Sequence, residues 1–93
     1  MEIKKVMTII HRELGITLCK NVIDYLGTRY YFKHDELSVS IVENDYNSYI
    51  TISKPVDKAF LDLWLHNFRE LEEEDIIRFI KYYKKVSSIS YSK

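Results

Sequence analysis

Three histidines, one cysteine and fourteen carboxylates are the side chains from which this 93-residue chain could build metal or acid–base chemistry. Their spacing assembles no site. His11, His34 and His66 are scattered, and neither another histidine nor Cys19 stands at the short spacing that a zinc site requires. Asp62 and His66 stand one helical turn apart and can hydrogen-bond, but the sequence positions no nucleophile for such a pair to activate. Two glycines, each placed where a helix should stop, leave no phosphate-cradling loop. The chain therefore reads as non-enzymatic, with no cofactor and no metal.

Binding surfaces are better represented. Residues 55–71, PVDKAFLDLWLHNFREL, laid on a helical wheel, place Val56, Ala59, Phe60, Leu63, Trp64 and Leu71 on one side. Leu61, Leu65 and Phe68 extend this into a second stripe, more apolar surface than a helix on one core needs. Either the chain's own elements cover that stripe, or it is an interface for self-association or a partner. A second surface is the outward face of a sheet predicted below, carrying Arg29, Tyr31, Lys33 and Tyr49 with Ser38, Ser40, Val42, Thr51 and Ser53. Tyrosines interleaved with basic residues can contact a protein or stack nucleobases. A third is acidic: Glu70, Glu72, Glu73, Glu74 and Asp75 could dock a basic partner, although acids at a helix start are also what the macrodipole favours. Lys81, Lys84 and Lys85 beside Tyr82 and Tyr83 make the most basic patch.

Hydrophobic period predicts the elements that carry these residues. Ile3, Val6, Met7, Ile10 and Leu14 fall at helical spacing over residues 2–14, and Gly15 suits a left-handed helix end. Thr17 can cap a second helical stretch in which Leu18, Val22, Tyr25 and Leu26 share a face before Gly27; a strand over 16–20 is the alternative. Residues 2–26 are thus one kinked helix or two. From residue 28 the period changes to 2. Strands are predicted over 28–34, 36–43 and 48–54, joined by turns at His34–Asp35 and at 44–47. Pro55 then opens the apolar helix, and a last helix over 72–86 runs from acidic to basic residues, with Ile76, Phe79, Ile80, Tyr83 and Val86 on one face. Residues 87–93 should fray.

The expected fold is one α+β domain over residues 1–93: a three-stranded antiparallel meander covered on one face by helices, in the order α(α)-β-β-β-α-α. That order is similar to that of some small phage-encoded inhibitors, including certain anti-CRISPR proteins that bind a large nuclease. The resemblance lies in element order alone.

Fourteen basic and fourteen acidic side chains cancel, so no net field steers the molecule toward nucleic acid or membrane. Ten lysines against four arginines, twelve isoleucines and a single alanine suggest an AT-rich genome, as in some bacteria and phages. The lone Cys19 is expected as a buried thiol, and no signal peptide or membrane-length apolar run occurs, which points to the cytoplasm. The sequence leads to a small protein-binding domain, an inhibitor or accessory factor of phage or mobile-element type. A nucleic-acid-binding accessory domain is the alternative.

Overall fold

A computed structural model describes residues 1–56 and 58–89, the side chains as far as Ser87. The order is α1 (Ile3–Leu14), β1 (Leu18–Asp24), β2 (Gly27–His34), β3 (Leu37–Glu43), β4 (Ser48–Val56), β5 (Ala59–His66), a short 3-10 turn (Phe68–Glu70) and α2 (Glu73–Ile89). The α+β class and the antiparallel meander agree with the sequence. The count does not: among the described residues the sheet has five strands in the order β1-β2-β3-β4-β5, with one helix before it and one after it. The order is α-β5-α, so the similarity in element order to phage inhibitors falls away.

The two further strands, β1 and β5, lie where the hydrophobic pattern predicts helix. In the middle of residues 55–71, Leu61, Leu63 and Leu65 pack against the core while Phe60, Asp62, Trp64 and His66 are exposed, a strict period of two. The surplus apolar surface belongs to a strand with leucines on its inner face and aromatics on its outer one. Pro55 sits near the end of β4, opposite Phe60 and beyond Ser53, the last β4 residue paired with β3. There its missing N–H deprives no neighbouring strand of a bond. The second helical stretch, 17–26, is likewise β1, hairpinned to β2 through Tyr25 and Leu26. Asp24 Oδ1 accepts the Leu26 N–H at 2.8 Å and fixes that turn.

Gly15 ends α1 in the left-handed conformation as expected, with φ of 65° and its N–H donating to the His11 carbonyl at 2.9 Å. Gly27 has another role. At φ of 118° it opens β2 against the end of β3, where a Cβ would overlap the Glu43 carbonyl oxygen and approach Asn44 Cβ to 2.8 Å. No side chain fits there without moving one hairpin away from the next.

The core lies between the inner sheet face and the two helices. Val6, Ile9 and Ile10 from α1 and Ile76, Ile80 and Tyr83 from α2 meet Tyr30, Phe32, Val39, Ile41, Ile50 and Ile52. Helix α2 runs through Ile89, past the expected end at Val86; the rest of the tail expected to fray, 90–93, lies outside the described residues. The crossing from β5 to α2 is locked by Phe68, which is fully buried. Asn67, left-handed at φ of 64°, donates its N–H to the Ser48 carbonyl at 2.6 Å. Arg69 Nε donates to Glu43 Oε2 at 2.9 Å, and Nη2 to the Asn44 carbonyl, so this crossing also clasps the β3–β4 loop.

Candidate binding surface

Because both helices lie on one side, the other face of the sheet is uncovered. Register places on it Lys20, Val22 and Asp24 of β1, Arg29, Tyr31 and Lys33 of β2, Ser38, Ser40 and Val42 of β3, and Tyr49, Thr51 and Ser53 of β4. All nine residues expected on the outward face are there. To them β5 adds Phe60, Asp62, Trp64 and His66, which the helical reading had placed elsewhere.

The β5 residues change the character of the face. Trp64 stacks on Tyr49 with ring centroids 5.1 Å apart and on His66 at 5.7 Å, making a continuous aromatic platform. Trp64 remains 51% exposed and Phe60 is 73% exposed. Asp62 orients the platform: it accepts from Ser53 Oγ at 2.7 Å and from Trp64 Nε1 at 3.3 Å. Asp62 and His66, proposed as neighbours on a helix, instead stand on alternate outward positions of one strand, each paired with a different β4 residue.

Toward β1 the face becomes cationic. Arg29 Nη2 donates to Asp24 Oδ2 at 2.6 Å, while its Nε is buried with no hydrogen-bond partner among the described residues. Val42, between Arg29 and Tyr49 in register, is buried despite facing outward. A shallow hollow of about 420 Å³ runs between the two regions, floored by Ser40, Val42 and Thr51 and flanked by Arg29, Tyr31, Tyr49 and Trp64. It offers hydroxyls, one guanidinium, the Asp62 carboxylate and aromatic walls.

The other candidate residues lie apart from this face. Leu61 and Leu65 are partly buried against the core and Phe68 is wholly inside it, so the three form no exposed stripe. In the acidic cluster, Glu73 takes an ion pair from Arg12 at 3.1 Å and Asp75 Oδ2 accepts the Glu72 N–H at 2.8 Å, while Glu70, Glu72 and Glu74 are exposed. Hydrogen bonds from Arg12 to Glu13 and Glu73 raise its pKa above the ordinary value. Arg78 reaches Glu74 one helical turn away at 3.8 Å. Lys81 and Lys84 are exposed on α2, on the helical side of the molecule.

His11 is held by its own backbone, with Nδ1 2.6 Å from the Ile16 carbonyl. Cys19 is not the buried thiol expected. It is exposed on β1, beside a register shift, with Sγ 3.5 Å from the Lys33 carbonyl. No three His, Cys, Asp or Glu side chains among the described residues converge as metal ligands, and no described helix is long and apolar enough to cross a membrane. Comparison with protein-family models, curated proteins and solved structures found no match.

The signal that could have revealed β5 was present in FLDLWLH. Alternation of leucine with Phe, Asp, Trp and His fits a strand better than any single helical stripe.

Proposed function

We propose that this protein is a small non-enzymatic domain that binds another protein through the open face of its sheet and acts by occupying that partner. The observation that carries the reading is the Tyr49–Trp64–His66 platform, half exposed and held in orientation by Asp62. Pre-oriented aromatics with a polar surround are the usual centre of a protein contact, where a few such residues supply most of the affinity.

The charge pattern favours protein over nucleic acid. Lys20, Arg29 and Lys33 stand on the β1 side, but Asp24 already neutralises Arg29 and Asp62 sits beside the platform itself. A polyanion is bound best along a path of one sign. A protein surface with an apolar knob between an acidic and a basic edge complements this face better. An inhibitor or accessory factor of phage or mobile-element origin fits such a mode of action, and the cytoplasm, where thiols stay reduced, suits the exposed Cys19.

The test is affinity capture from an extract of the native host with three baits: the unmodified chain, Tyr31→Ala/Trp64→Ala, and Lys81→Ala/Lys84→Ala on the helical side. A protein lost only from the open-face variant supports the reading. Capture unaffected by that variant rejects it, and capture abolished by nuclease transfers the face to the nucleic-acid alternative.

A further inference from the structure

Among the described residues no strand lies beside the outer edge of β1. As the terminal strand, β1 pairs with β2 through one row of backbone groups and presents the other row to its surroundings. The turn determines which groups these are. Asp24 and Gly27 flank a two-residue turn and so exchange hydrogen bonds, and alternation along the pair directs Val22 and Lys20 inward and Ile23 and Asn21 outward. Edge strands are commonly blunted by charges of one sign, by proline, by bulges or by a covering element; the charges of β1, Lys20 and Asp24, are of opposite sign. β1 has no proline, and its one register shift lies at its start, between Leu18 and Lys20. Ile23 is 71% exposed. The stretch from Asn21 to Asp24 is regular and open.

We propose that β1 pairs antiparallel with β1 of a second copy of this chain about a twofold axis at Val22, joining two five-stranded sheets into one of ten. Charge selects this register. With Val22 opposite its own counterpart, Lys20 of each copy lies directly across from Asp24 of the other, giving two opposite-charge pairs on the open face. Centring on Lys20 sets two ammonium groups against each other. Centring on Asn21 places Lys20 across from Val22 and Asp24 across from Leu18, with no charge paired.

The backbone agrees with the Val22 register. Asn21 of one copy faces Ile23 of the other, and both are outward-directed positions, so their N–H and C=O groups meet as a hydrogen-bonded pair. Asp24 then lies between Arg29 of its own chain, at 2.6 Å, and Lys20 of the second copy, an alternating series of charges. A twofold axis normal to the sheet keeps all helices on one side and makes the two open faces contiguous. The pairing is independent of whether that face binds a protein.

Two cysteine variants in a Cys19→Ser background read the register directly. Across a non-hydrogen-bonded antiparallel pair the Cα atoms are about 4.5 Å apart, within the span of a disulfide. Val22→Cys should therefore cross-link into a covalent dimer under mild oxidation, whereas Asn21→Cys, offset by two residues from its counterpart, should form no covalent dimer. Sedimentation of the unmodified chain should show a mass rising with concentration toward twice the 11.2 kDa of one copy. Lys20→Asp, at an exposed position, should weaken dimerisation about tenfold or more while leaving the circular dichroism spectrum unchanged. The proposal is overturned by a monomeric chain at concentrations up to about 1 mM. It is equally overturned by cross-linking of Asn21→Cys in preference to Val22→Cys, or by undiminished dimerisation of Lys20→Asp.

Discussion

Phe60 and Phe68 are the same residue type on one short segment, and the strand and helix readings of that segment assign them opposite roles. On a helical wheel Phe60 belongs to the principal apolar side and Phe68 to the surplus stripe; in the structure Phe68 is fully buried and Phe60 is 73% exposed. Phe68→Ala removes a ring from a closed core and leaves a cavity, at a cost of about 3–5 kcal/mol. Phe60→Ala removes little buried surface. With roughly a quarter of about 200 Å² out of water, the loss is about 1 kcal/mol at 25 cal/mol/Å². For a chain of this size 1 kcal/mol moves Tm by about 5 °C. Thermal unfolding followed by circular dichroism should therefore place Phe68→Ala about 15–25 °C below the unmodified protein and Phe60→Ala within about 5 °C of it. Urea titration gives the same comparison as a shift in midpoint at constant slope. Equal losses, or a larger loss for Phe60→Ala, would refute the strand and the open face that depends on it.

Gly27→Ala should cost about 2–4 kcal/mol, because the added methyl overlaps the Glu43 carbonyl at a positive φ; Gly15→Ala, with open space around it, should cost only the backbone term of about 1 kcal/mol. Equal urea midpoints for these two variants would show that β2 does not press on the end of β3. Arg69→Ala should lose about 1 kcal/mol by releasing the clasp on Glu43 and Asn44, and an unchanged midpoint would remove that contact from the account.

Where one surface of an element is buried and the other polar, the sequence was a faithful guide. Helix α1, helix α2, strands β2 to β4 and the turns at Asp35 and Asn44 all have a single clean period, and the outward residues of β2 to β4 followed from alternation. β1 and β5 lacked that contrast. β1 is an edge strand whose Leu18 and Ile23 remain exposed, so no buried stripe marked its period. The outer face of β5 mixes Phe60 and Trp64 with Asp62 and His66, so apolar residues are not confined to its inner face; it contains no β-branched residue, and its alanine and leucines favour a helix by intrinsic propensity. Pairing with β4 along eight residues overrode that preference. The loss of β5 mattered most for function, since Trp64, His66 and Asp62 complete the platform whose other half, Tyr49 and Arg29 with their neighbours, was visible from alternation.

Trp64 is the only tryptophan in the chain, so its fluorescence reports on the open face alone. In the free protein the half-exposed indole should emit at long wavelength and be quenched readily by acrylamide. Titration with the captured partner, under conditions where the complex is independently seen to form, should shift the emission to the blue and shield the indole from quencher. Emission and quenching that stay unchanged in a fully formed complex would contradict docking through this face.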